Sequence, residues 1–175
     1  YVLLHHFGGW YLDLTIRIDQ LVGDIQFDSK TEMLAFREVQ RYAHSAHAVA
    51  TSVLWVSAPR HPVYETAIEL VLRNCREEYY GAVPISVSGP NVLGEAMALN
   101  RCNPKILWGD VLELTPSHSK SNKAFVMPDG VILAWNKPSG GGDIASLGQK
   151  GTNNYNDYWH AKEVYLSDEN ACATR

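Results

Sequence analysis

The sequence predicts a mixed α/β layer architecture in one domain. Three observations lead there. Strand-like and helix-like patterns alternate along the chain. Hydrophobic residues make up 46% of the 175 residues, the proportion of a globular chain with a real core. No internal repeat is present.

Residues 1–7, Tyr-Val-Leu-Leu-His-His-Phe, are apolar from the first residue and read as the last turns of a buried helix. Gly8 and Gly9 then allow a tight turn. Residues 10–18 alternate strictly and predict one strand: Leu12, Leu14, Ile16 and Ile18 on one face, Tyr11, Asp13, Thr15 and Arg17 on the other. Asp13 and Thr15 would point the same way, about 7 Å apart. Residues 19–30 are polar and form a connector, and residues 31–47 fit a strand or a helix equally well.

Residues 48–57 are rich in apolar and β-branched types and read as a buried strand, broken by Ala58-Pro59-Arg60-His61-Pro62. Pro62 suits the first turn of a helix. Val63, Ala67, Leu70, Val71 and Cys75 recur there at helical spacing, with Glu65, Glu69, Arg73 and Glu77 opposite. Cys75 is expected to be buried as a small hydrophobe. Residues 84–87 suggest a short strand, and Ser88-Gly89-Pro90-Asn91 turns the chain into a second helix. Residues 111–114 suggest another strand. Pro128-Asp129-Gly130 is a hairpin turn between residues 125–126 and 131–135. Residues 138–142, Pro-Ser-Gly-Gly-Gly, are the most flexible composition in the chain and a natural hinge. A short helix with Tyr155, Tyr158 and Trp159 and a last strand at Val164-Tyr165 follow, and residues 166–175 read as a frayed tail.

Charge and composition narrow the chemistry. The net charge is −4 with no basic stripe, which argues against nucleic acid. There is no apolar run of membrane-spanning length and no recognisable signal peptide. Cys75, Cys102 and Cys172 form no CxxC pair, so neither a cysteine zinc site nor a disulfide framework is indicated. No GxSxG elbow, HExxH helix or P-loop occurs. What stands out is Asp13: one carboxylate on a polar strand face just after a Gly-Gly turn. Trp10, beside that turn, is expected to pack in the core. His5 and His6 are adjacent on a helix and point about 100° apart, so they cannot share a site. His61, at a helix start, suits a capping role. His118 lies in a polar loop and reads as surface.

Four segments together resemble the DXD-motif sugar transferases of glycosyltransferase family 32. They are residues 4–13, with the helix end, Gly-Gly turn and Asp13; residues 56–62, with Ala58-Pro59-Arg60-His61-Pro62; residues 87–90, with Ser88-Gly89-Pro90; and residues 151–165, with Asn153, Asn154, Tyr155 and Trp159. The resemblance covers residues 1–165. It implies a GT-A-like nucleotide-sugar transferase fold whose amino-terminal part would lie before Tyr1. It implies transfer of a sugar from a nucleoside-diphosphate donor to the hydroxyl of a glycan or lipid-linked acceptor, with retention, in glycan or polysaccharide synthesis. Asp13 and Thr15 would be the catalytic positions. Gly8, Gly9, Tyr11, Gly89, Pro90, Asn154 and Trp159 would bind donor. Asp13 and His160 would hold Mn²⁺ or Mg²⁺, the hard cation that neutralises a departing diphosphate. Thr15 stands where the family motif has its second Asp, so metal binding should be weak. A non-catalytic nucleotide-sugar or carbohydrate-binding relative is the alternative. The resemblance places a bacterial protein at the cytoplasmic face of the membrane and a eukaryotic one in the Golgi, with any membrane anchor outside this chain.

Overall fold

A computed structural model describes residues 1–19, 25–38, 48–101, 105–114, 122–136 and 155–165. The expectations for residues 138–142, Asn153, Asn154, His118, Cys102, Cys172 and the tail 166–175 lie outside them. The element order is α1 (Val2–Phe7), β1 (Gly9–Leu12), β2 (Ile16–Ile18), β3 (Met33–Arg37), β4 (Val53–Val56), α2 (Pro62–Arg76), a 3-10 turn (Pro84–Ser86), α3 (Pro90–Leu99), β5 (Ile106–Leu114), β6 (Asn122–Val126), β7 (Ile132–Asn136) and α4 (Tyr155–Ala161). The mixed α/β prediction holds.

The strands form one seven-stranded sheet in the order β1-β4-β3-β5-β6-β7-β2. β5 joins its two halves. Residues 106–110 pair in parallel with β3, and residues 110–114 pair antiparallel with β6. Gly109 sits at this changeover because no side chain fits there. A Cβ would lie 2.5 Å from both the Phe36 ring and the Val126 carbonyl oxygen. β1 and β2 lie at opposite edges of the sheet, yet only residues 13–15 separate them. The sheet is therefore curled, with its two edges brought together at that turn.

This curl gives two cores. The concave face gathers Ile16, Leu34, Phe36, Val53, Val111, Phe125 and Leu133 from both halves, with Trp10, Leu12, Phe27 and Trp55 packed against them. Trp10 packs as expected, 6.2 Å from the Trp55 ring. On the other face, Met33, Ala35, Leu54 and Val56 meet Leu4 of α1, Val63, Tyr64, Ala67 and Leu70 of α2, and Val92, Leu93, Ala96 and Met97 of α3. β3 and β4 feed both cores, so their residues are buried on both faces and carry no alternation. That is why Met33-Leu34-Ala35-Phe36 fit the start of a strand or of a helix alike.

Several expectations change. The strand over 10–18 is interrupted: the Ile16 N–H donates to the Asp13 carbonyl at 2.9 Å, closing a turn. Leu14, at its tip, is 91% exposed rather than buried. The strand over 48–57 shortens to Val53–Val56. α1 is not buried all round; Leu4 is inside while Val2, Leu3 and Phe7 are exposed. α2 follows its pattern, except that Asn74 faces inward, donating to the Val87 carbonyl at 2.9 Å. Cys75 is thereby turned outward and exposed. Residues 84–86 wind into a 3-10 turn instead of a strand, because Pro84 starts a turn and the Ser86 side chain accepts from the Val83 N–H. Val164-Tyr165 forms no strand. The hairpin at 128–130 forms as predicted, with the Gly130 N–H on the Met127 carbonyl and the Val131 N–H on Asp129.

Candidate functional site

β1 and β3 both run antiparallel to β4, and β3 is parallel to the first half of β5. Three strands thus end in the same direction. The carboxyl ends of like-directed strands are where open α/β sheets bind ligands, because the chain leaves the sheet there. Asp13 follows β1, Arg37 and Glu38 close β3, and Asp110 lies opposite Arg37 on β5.

Asp13 is half-buried and held from two sides. Its N–H donates to the Ser52 carbonyl at 3.0 Å. Its Oδ1 accepts from the Tyr11 hydroxyl at 2.6 Å. This carboxylate, as hydrogen-bond acceptor, is the main cause that pushes the Tyr11 phenol up to about 12, with burial and its charge adding to it. Tyr11 pairs with Leu54, which belongs to the helix-side core, so the Tyr11–Asp13 pair lies on the helix face of the sheet. Thr15 is in the same turn and partly exposed.

Gly89 and Pro90 stand at the start of α3, at the same end. The Val49 N–H donates to the Pro90 carbonyl at 3.1 Å, and the Tyr1 hydroxyl donates to the Gly89 carbonyl at 2.9 Å. Val49 also bridges Arg37. Val49 and Ser52 are three residues apart, a span of at most about 10 Å. One short segment therefore ties the Asp13 turn, the end of β3 and the start of α3 together.

Trp159 lies on α4, which packs on the 3-10 turn leading to Gly89. Its indole N–H donates to the Tyr80 carbonyl at 2.7 Å, and the Tyr165 hydroxyl donates to the Tyr79 carbonyl at 2.6 Å. Lys162 Nζ sits 4.3 Å from the Tyr80 ring and 4.5 Å from the Trp159 ring. Trp159 thus anchors α4. His160 is exposed, edge-on to Trp159 with ring centroids 5.0 Å apart. Asn154 lies outside the described residues.

Gly8 and Gly9 stand at the opposite end of β1 from Asp13. Gly8 has φ 68° and packs against the Ala58–Pro59 backbone, where a Cβ would come within 3.0 Å. That contact accounts for the glycine without a ligand. His61 also lies at that far end. Its Nδ1 accepts from the Val63 N–H at 3.4 Å, the expected cap of α2, and its Nε2 is 4.0 Å from Glu32. Burial lowers the His61 pKa, with Glu32 opposing. The Nδ1 of His5 is buried without a hydrogen-bond partner among the described residues.

Among the described residues no group of three His, Cys, Asp or Glu side chains converges to hold a metal ion. Asp13 and His160 do not form a cage by themselves, and one Asp13 oxygen already accepts from Tyr11. No described helix is long and apolar enough to cross a membrane.

Arg37, Glu38 and Asp110 were missed by sequence reasoning. The signal was the charged Arg37-Glu38 pair directly after the apolar run Met33–Phe36, which marks the end of a buried strand.

No protein-family description matches the chain, and no curated protein matches it. A solved structure titled PaToxG Glycosyltransferase is similar at 18% identity with a TM-score of 0.44. The match covers 57% of this chain and 32% of that one. A likeness this shallow does not establish a shared fold, and the chain spans about a third of that protein's length.

Proposed function

We propose that this chain is the part of a sugar transferase that receives the diphosphate of a nucleotide-sugar donor, within a GT-A-like fold. The observation that supports this best is the placement of Asp13. Its carboxylate is aimed by Tyr11 and anchored through Ser52, at the carboxyl end of like-directed strands and beside the start of α3. A carboxylate fixed on a strand end serves to orient a polar ligand, because its rotamer is chosen before the ligand arrives. The start of α3 offers the positive end of a helix dipole to a developing negative charge; Pro90 has no N–H, and the Val92 and Leu93 N–H groups already donate to the Gly89 carbonyl.

In the transfer, the bond between the anomeric carbon and the diphosphate oxygen breaks and the acceptor oxygen takes its place. A transfer on the same face needs no protein nucleophile: the departing diphosphate oxygen receives the acceptor proton. The donor would be a nucleoside-diphosphate sugar and the acceptor a glycan or lipid-linked hydroxyl. Asp13 and Thr15 orient the diphosphate, and Trp159 holds α4 against the same end of the molecule. A divalent cation at Asp13 would draw its remaining ligands from the diphosphate and water, since the described side chains do not complete a shell.

Donor hydrolysis by the protein in its full-length form, with and without Mn²⁺, tests this reading. Turnover that falls at least about a hundredfold in Asp13→Ala is expected, the scale of losing an oriented electrostatic contact. Full activity in that variant would overturn the role. The non-catalytic alternative is favoured by one observation: the Tyr11 hydroxyl already occupies Oδ1 of Asp13. Calorimetric binding of nucleotide-sugars without any turnover would select it.

A further inference from the structure

We propose that Arg37 is a binding residue for a diphosphate group at this end of the sheet, supplying positive charge where Thr15, in place of a second carboxylate, leaves a metal cation weakly held. The inference deepens the sugar-transfer reading and rests on it only for the source of the diphosphate.

The guanidinium is held in a defined plane. Its central carbon lies 5.0 Å from the centre of the Trp108 ring. Its Nη1 donates to Oδ1 of Asp110 at 3.1 Å. The Arg37 and Asp110 side chains are 52% and 51% exposed, so both remain within reach of a ligand. A guanidinium has five N–H groups. Only one has a partner among the described residues. Trp108 lies against one face, which leaves a flat, charged fork with its rotamer already chosen. That shape suits two phosphate oxygens at once, which an ammonium group cannot match.

Position gives the fork its meaning. Phe36 belongs to the concave core, so Arg37 next to it lies on the helix face, the face that carries Tyr11 and Asp13. Arg37 bridges Val49, Val49 holds Pro90, and Ser52 holds Asp13. The backbone of Arg37 is thus tied to the segment that holds both the Asp13 turn and the start of α3, while its guanidinium leans over β5, against Trp108 and Asp110. The charges beside it are Asp110, its ion-pair partner, and the adjoining Glu38, to which Lys123 is bonded at 2.8 Å. Asp110 is the competitor. A diphosphate bound at Arg37 shares or displaces its hold on Nη1, so removing the Asp110 charge must strengthen binding.

The test is calorimetric titration of the protein with inorganic pyrophosphate, UDP and GDP. Arg37→Ala should weaken diphosphate binding about tenfold or more, and Arg37→Lys should recover only part of it. Asp110→Asn should tighten it, which keeps the proposal testable should Arg37→Ala fail to fold. Arg37-dependent binding of pyrophosphate alone identifies the phosphates as sufficient. Arg37-dependent binding of UDP or GDP only identifies a nucleotide-borne diphosphate. Affinities within twofold of the parent in both Arg37 variants, or no binding of any of the three probes, overturn the inference. The two readings fail separately. Mn²⁺-dependent turnover unaffected by Arg37→Ala would sink the role of Arg37 and leave sugar transfer standing. Arg37-dependent diphosphate binding with no turnover would do the reverse.

Discussion

Tyr11 donates to a carboxylate two residues away on the same strand face, and that short contact can be read in solution. A phenol that donates to a carboxylate ionises late, since ionisation gives up that hydrogen bond, and burial and the carboxylate charge add to the cost. Ultraviolet titration should show Tyr11 ionising near 12. In Asp13→Asn it should return toward the ordinary value of about 10. An unchanged curve would mean that the hydroxyl and the carboxylate do not meet. His61 provides a second residue-scale test. It is 6% exposed and its pKa is lowered chiefly by burial. A buried base whose folded pKa lies below its unfolded value binds fewer protons when folded. Its contribution is therefore present above the unfolded value of about 6.5 and is lost as pH falls below it toward the folded pKa. Urea unfolding at pH 7 and pH 5.5 should show a loss of stability in the parent. His61→Asn keeps an acceptor for the Val63 N–H and removes the titration, so its loss should be smaller.

Elements show why one glycine in β5 matters more than the strand's hydrophobic pattern suggests. Gly109 lies where β5 exchanges β3 for β6, with the Phe36 ring and the Val126 carbonyl both in the place of a Cβ. The carbonyl belongs to a paired strand and cannot step aside. Gly109→Ala should cost about 1–3 kcal/mol as an overpacked site, measured as a lower urea midpoint with unchanged slope. A neutral result would mean that the two halves of the sheet separate more easily than their packing indicates. The helices teach a simpler lesson. α2 was legible from Pro62 and its apolar spacing, and α3 from Gly89-Pro90, because capping and periodicity are local properties. The side chain of Asn74 was not legible, because its partner, the Val87 carbonyl, is brought in by the return of the chain. The exposure of Cys75 follows from the same packing.

The whole molecule is organised by a chain segment, residues 9–18, that serves both edges of one curled sheet. Since Leu34, Phe36, Val111 and Phe125 share a core drawn from both halves, neither half can open without exposing the other. Unfolding should therefore be a single transition, with tryptophan fluorescence and far-ultraviolet circular dichroism giving coincident curves. Trp55 in the first half and Trp135 in the second would report separate midpoints if the halves were independent. By itself, the sequence determined the α/β class, the helices at 62–76 and 90–99, the hairpin at 128–130 and the prominence of Asp13. Each depends on neighbours a few residues away. Only the tertiary structure decided that the strand through Asp13 turns at that residue, and that residues 33–37 form a strand buried on both faces. It alone brought Arg37 and Asp110 to the same end as Asp13. Those outcomes depend on which strands pair across the sheet, and pairing between residues tens of positions apart leaves no periodic trace in the chain.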